Sequence, residues 1–242
     1  MLRFIVFILF LFLPCTLFLG GKSSDSTPDS AERAAVSDVE AYASLYRSMQ
    51  LEGVVNWKAF RQAVAGYYKI DNRKREVLTL IDFSRPSTAK RLFVFDMRER
   101  KVLFSSVVSH GKNSGDNYAT SFSNEYGSYK SSLGFYLTES TYQGKNGYSL
   151  ILNGLEKGIN DRARERAIVM HGAAYADPST IRSCGRLGRS LGCPALPLAV
   201  SKKIIDTIKG GTLLYIHGDD KTYASLSTFI KQDEAQKDRA DI

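Results

Sequence analysis

Cys193 and His171 are the residues whose surroundings best suit covalent chemistry. Cys193 ends the segment Gly188-Arg-Ser-Leu-Gly-Cys193, a glycine-flanked turn expected to present the thiol just before a helix. A nucleophile needs a tight, exposed turn so that its side chain clears its neighbours. Gly192 permits that turn, and backbone N–H groups around the cysteine can then face an oxyanion. A thiol close to a helix N-terminus and to a histidine has a lowered pKa and a larger thiolate fraction. The second segment, Ile168-Val-Met-His-Gly172, reads as a buried strand ending in His171-Gly172. A histidine at a strand end is a natural general base, provided the fold brings it to the thiol. Taken singly, each feature is weak, since a histidine at a strand end is more often a core histidine and a Gly-Cys-Pro turn is usually structural.

The elements that must position this pair are mostly strands. Val77–Phe83, Arg91–Asp96 and Val102–Ser109 are β-branched or aromatic runs, the last two forming a hairpin around Met97–Arg100. Further strands are expected at Gly134–Thr138, Tyr148–Leu152, Ala167–Met170 and Thr212–Ile216. Upstream, Val36, Val39, Ala43, Tyr46 and Met49 recur at helical spacing. Asn56 is placed to cap a second helix carrying Trp57, Phe60, Val64 and Tyr67 on one stripe. Asn160 suits the cap of a short charged helix through Arg166. Val200, Ile204 and Ile208 mark another helix, stopped by Gly210-Gly211. The divisions expected are residues 1–21 as leader or anchor, 22–33 as linker and 34–75 as helical segment. They are followed by 76–218 as a β-rich domain and 219–242 as a polar tail.

Composition narrows the class. In 242 residues, 43% hydrophobic and 24% charged content describes a globular protein and excludes bulk disorder or a multi-span membrane protein. The net charge of +8 lacks a dense Lys/Arg block, and no nucleic-acid motif accompanies it. Arg3 followed by the apolar run Phe4–Leu19 reads as a signal peptide or N-terminal anchor, so the protein is expected to be exported. With the leader removed only Cys184 and Cys193 remain. They form either a disulfide staple or a free nucleophile with an unrelated bystander. His110, His171 and His217 lack the spacing of a zinc site, so no metal is expected.

Taken together, His171-Gly172 and Ser190-Leu-Gly-Cys193 resemble the signature of the L,D-transpeptidase (YkuD-like) family, His-Gly followed by Ser/Thr-His-Gly-Cys. Val107-Val-Ser-His-Gly-Lys112 and Ser131-Ser-Leu-Gly-Phe-Tyr136 extend the likeness, which covers roughly Val77 to Gly218. It is nearest the murein L,D-transpeptidase catalytic domain branch, with Leu191 where the commoner pattern has histidine. The resemblance implies a β-rich α+β fold, a β-sandwich-like catalytic domain, here preceded by a helical pair. It implies an exported enzyme that cleaves diaminopimelate–D-Ala in peptidoglycan stem peptides through a Cys193 thioester and transfers the acyl group to an amine. His171 is then the base, and Leu191, Gly192 and Ser190 form or shape the oxyanion site. Gly172, Arg189, Arg186, His110 and Tyr148 are the expected substrate-binding residues. No cofactor, no nucleic acid, membrane contact only through the N-terminal segment, and a monomer complete the expectation. An L,D-carboxypeptidase using the same site and a non-catalytic wall-binding protein are the alternatives.

Overall fold

The computed structural model describes residues 30–230, with side chains from Asp38 onward. The expected leader and most of the expected linker lie outside the described residues. Among the described residues no helix is long and apolar enough to cross a membrane.

Two helices, α1 (Ser30–Ser48) and α2 (Trp57–Lys69), open the fold. Asn56 caps α2 as its sequence position predicts, its side-chain oxygen accepting from the Ala59 N–H at 3.1 Å. The helices meet through aromatic contacts, Tyr46 against Trp57 at 5.2 Å and against Phe60 at 5.3 Å. Phe60 then reaches Phe95 of the sheet at 5.6 Å. The apolar stripe of α2 is therefore the face that docks the helical pair.

The strands are β1 (Val77–Asp82), β2 (Leu92–Asp96), β3 (Lys101–Ser106), β4 (Gly134–Gly144), β5 (Gly147–Gly154), β6 (Val169–Gly172), β7 (Ala195–Leu196) and β8 (Leu213–His217). All eight belong to one mixed sheet in the order β3-β2-β1-β8-β4-β5-β6-β7. This is the β-rich α+β architecture expected. Strands β1 and β8, paired in parallel, are buried along their whole length, which accounts for their continuous apolar runs. The hairpin β2–β3 turns where predicted.

β3 and β7 sit at opposite edges of that order, yet the chain leaving β3 returns to β7. Ser109 and Ala195 exchange two backbone hydrogen bonds, at 2.8 and 3.3 Å, so the sheet curls until its edges are nearly joined. That closure brings the segment around Gly111 against the Cys193 loop.

Helix α3 (Ser179–Cys184) is an exposed turn-and-a-half in the connection from β6 to Cys193. Helix α4 (Leu198–Ile208) buries Ile204, Ile205 and Ile208. Three expectations are corrected. The segment from Asn160 to Arg166 forms successive turns, because the Asn160 side chain caps no helix. It donates to the Leu133 and Phe135 carbonyls and accepts from the Glu156 N–H. Cys193 does not stand immediately before a helix, since β7 intervenes and α4 begins at Leu198. The polar segment from Lys221 is docked through residue 230. Helix α5 (Lys221–Leu226) buries Tyr223, and Ile230 is fully buried beyond it. The Tyr223 and Ser227 hydroxyls both donate to the Glu156 carboxylate, beneath the start of β4.

Candidate active site

His171 occupies β6, in register with Ser149 of β5 on one side and Ala195 of β7 on the other. Cys193 precedes that β7 partner by two residues, so the two chemical side chains come from adjoining segments at one end of the sheet. The imidazole is 4% exposed, and its Nδ1 lies 3.0 Å from the Gly172 carbonyl oxygen. A carbonyl only accepts, so Nδ1 carries the proton and Nε2 keeps the basic lone pair. Gly172 thus serves the site through its carbonyl. A Cβ there would collide with Ser201 of α4, on the face away from the imidazole.

Cys193 is 8% exposed. Its sulfur accepts from the Val169 N–H at 3.5 Å and lies 3.7 Å from the Ala167 carbonyl oxygen. No hydrogen bond joins it to His171 in this geometry. Burial pushes the thiol up from its usual value, with the Val169 N–H and the Arg166 guanidinium offsetting part of the effect. This corrects the expectation of a lowered thiol pKa, since the helix terminus invoked for it is absent and the desolvation of a thiolate dominates. Both cysteines are free. Cys184 is exposed on α3, so the staple is not formed.

The loop before the thiol is held from within and from outside. The Ser190 hydroxyl donates to the Cys193 carbonyl at 2.6 Å and accepts the Gly192 N–H at 3.0 Å. The Gly192 amide is therefore engaged and not an open oxyanion donor, which corrects its expected role. The Leu191 and Cys193 amides donate to no carbonyl or side-chain oxygen among the described residues. Gly192 has φ +127°, and a Cβ there would lie 2.9 Å from both Ile168 and the Lys130 carbonyl oxygen, so only glycine fits. Outside the loop, the Ser190 N–H bonds the His110 carbonyl at 2.9 Å and the Lys112 N–H bonds the Ser190 carbonyl at 2.8 Å. The buried Ser131 hydroxyl bridges the two segments, accepting from the Gly111 N–H and donating to the Gly192 carbonyl, each at 3.0 Å.

Several expected substrate contacts are placed elsewhere. His110 is 1% exposed, with Nδ1 2.8 Å from the Arg91 guanidinium, so it is part of the interior and not the rim. Burial, with the Arg91 charge adding to it, lowers its pKa to about 4. Tyr148 is not in the cleft. Its strand neighbour Ser149 opposes His171, so alternation sends Tyr148 to the other face, where its hydroxyl bonds Asp206 of α4 at 2.6 Å. Arg186 and Arg189 border the site but share one carboxylate, Asp116, at 2.6 and 3.4 Å. Leu191 is exposed at the loop tip.

Three further residues of the site carry no separate signal in the sequence. Arg166, within the run read as a charged helix, donates to the Ser123 and Lys130 carbonyls and the Ser128 and Ser132 hydroxyls, anchoring the loop beside Gly192. Tyr175 stands edge-on to His171 at 6.5 Å, and burial, with the nearby Cys193, pushes its phenol up to about 12. Ser131, in the segment Ser131–Tyr136, is the buried hydroxyl that joins Gly111 to Gly192. A hollow of about 280 Å³ is lined by Tyr142, Ile151, Arg164, Ala167, Ile168 and Val169, and the backbone of two of these, Ala167 and Val169, contacts the Cys193 sulfur. Among the described residues no group of three His, Cys, Asp or Glu side chains is gathered as metal ligands.

Comparison with known proteins gives a family. The family model described as the L,D-transpeptidase catalytic domain, YkuD_2, matches residues 51–217. No curated protein matches. A solved L,D-transpeptidase from Mycobacterium smegmatis is 16% identical, with 59% of each chain covered and a TM-score of 0.36. This chain thus spans about three-fifths of that protein. An L,D-transpeptidase from Stackebrandtia nassauensis is 16% identical over 76% of this chain and 79% of its own, with a TM-score of 0.37. A helical cell shape determining protein from Campylobacter jejuni is 13% identical over 66% and 55%, with a TM-score of 0.41.

The burial of Cys193 and His110 has two expected consequences. Iodoacetamide is expected to label Cys184 well before Cys193, and the pH midpoint for Cys193 to lie above that of an ordinary thiol. Peptide mass mapping across pH 7–10 checks both. Because the folded-state pKa of His110 is depressed, the unfolded chain binds the extra proton between pH 6.5 and 4, and stability falls as pH falls through that window. A loss of about 1 kcal/mol per pH unit in urea unfolding is expected, absent in His110→Gln.

Proposed function

The chain belongs to the L,D-transpeptidase catalytic domain family, and from that premise we propose that it is an exported cysteine acyltransferase acting on peptidoglycan stem peptides. The observation that carries the reading is the tautomer of His171, fixed by Gly172 so that Nε2 is basic, at the same end of the sheet as the Cys193 loop. Residues 1–21 are the proposed leader or anchor, which delivers the domain to the cell envelope.

In the proposed reaction, substrate closes over the site and the Cys193 proton passes to His171 Nε2 as sulfur attacks the diaminopimelate carbonyl. Burial raises the pKa of the resting thiol, and in the proposed step its proton passes to His171 as sulfur attacks. The Leu191 and Cys193 amides are the proposed donors to the oxyanion, with Ser190 holding the turn that aims them. The imidazolium then returns the proton to the departing D-Ala amine, leaving a Cys193 thioester. An incoming amine, deprotonated by His171, attacks the thioester, and the same proton restores the thiol. The reaction needs no cofactor. The hollow beside Val169 is the proposed seat of one of the two peptides.

The test is mass spectrometry of tetrapeptide muropeptides incubated with the protein and with Cys193→Ala. Release of D-Ala that Cys193→Ala abolishes, by at least about a thousandfold, is expected. Cross-linked dimers would then mark amine transfer, and tripeptide monomers hydrolysis. D-Ala release that survives Cys193→Ala would overturn the assignment.

A further inference from the structure

Most cations near the Cys193 loop already have partners. Arg186 and Arg189 share Asp116, Arg164 pairs with Glu139, and Arg166 is taken up by four loop acceptors. Lys130 donates to the Ser121 hydroxyl. Lys112 is different. It is exposed, and among the described residues its ammonium has neither a carboxylate nor a hydrogen-bond acceptor.

Its position is nonetheless fixed at both ends. The Lys112 N–H is bonded to the Ser190 carbonyl at 2.8 Å, three residues before the thiol. The ammonium sits 4.3 Å over the ring of Tyr129. Tyr129 is itself constrained, with φ +55°, a conformation costly for a bulky residue. Its carbonyl accepts from the Asn113 N–H at 3.2 Å, which locks it to the Lys112 segment. A cation held against an aromatic face loses less rotamer freedom when an anion arrives, and a ring offers it no competing negative charge.

We propose that Lys112, poised on Tyr129 at the edge of the Cys193 loop, is a specificity-determining residue that binds a carboxylate of the stem peptide. This deepens the proposed function and rests on it for the identity of the substrate. Every carboxylate of the stem shares this chemistry, whether on the terminal D-Ala, on the diaminopimelate or on the γ-linked glutamate.

The experiment compares turnover of a synthetic tetrapeptide with three forms in which one of these carboxylates is a carboxamide, using the wild type and Lys112→Gln. The wild type is expected to prefer the free acid at one position by about tenfold in kcat/KM, carried mainly by KM. In Lys112→Gln that ratio is expected to fall below about twofold, while the other two ratios stay put. The position whose ratio collapses identifies the carboxylate. A second measurement needs no turnover: the rate of Cys193 alkylation by iodoacetate relative to iodoacetamide. Lys112→Gln is expected to lower that ratio about threefold at low salt, with Tyr129→Phe leaving it unchanged. If the acid/amide ratios and the alkylation ratio are both unaltered in Lys112→Gln, the inference is overturned, whatever the total activity. Absence of any Cys193-dependent turnover would instead count against the proposed function, and the alkylation ratio would still decide whether Lys112 steers an anion.

Discussion

The site depends on the junction between the chain leaving β3 and the loop carrying Cys193. Ser109 pairs with Ala195, the Ser190 N–H meets the His110 carbonyl, the Lys112 N–H meets the Ser190 carbonyl, and Ser131 bridges Gly111 to Gly192. A typical hydrogen bond of this kind contributes about 1 kcal/mol net, but orphaning a buried partner costs about 1–3 kcal/mol. Removing one side of the junction would therefore strand groups on the other. The closeness of the two segments explains two glycines. A Cβ at Gly111 would lie 3.0 Å from the Gly192 Cα, and one at Gly192 would meet Ile168 and the Lys130 carbonyl. The sheet supplies the rest of the positioning, because only its curl brings the β3 and β7 edges together.

Burial then sets the chemistry. The cysteine is desolvated and protonated at rest, while the imidazole is held as the tautomer able to accept a proton. A buried, protonated thiol is a poor target for oxidants and alkylating agents, whereas Cys184, exposed on α3, is the vulnerable one. Arg166 lends positive charge to the thiol while anchoring the loop that passes beside it, so one guanidinium couples loop geometry to thiol acidity.

The strands, the capped α2 helix and the glycine turn before Cys193 were legible because each has a local signature. Such signatures are β-branched runs, an Asn before an apolar stripe, and glycines around a candidate nucleophile. What was not legible is set by contacts distant in sequence or by strand parity. Tyr148 and Ser149 are adjacent, yet only the pairing of Ser149 with His171 reveals that Tyr148 faces α4. Arg186 and Arg189 look free until Asp116, some seventy residues earlier, meets both. His110 resembles a rim residue until its ring is found against the buried Arg91. The polar composition after Lys221 hides Tyr223 and Ile230, which dock because Glu156 offers a buried acceptor to Tyr223 and Ser227. The thiol's surroundings escape the sequence for a related reason, since the helix expected to lower its pKa begins only after another strand.

The most direct test of the central claim is intact-mass and peptide-mass analysis of the protein quenched in acid during incubation with a stem tetrapeptide lacking an amine acceptor. An acyl adduct on Cys193 is expected, formed with release of one D-Ala and undetectable in His171→Gln on the same timescale. D-Ala release without any adduct on Cys193, or an adduct formed equally fast in His171→Gln, would contradict it.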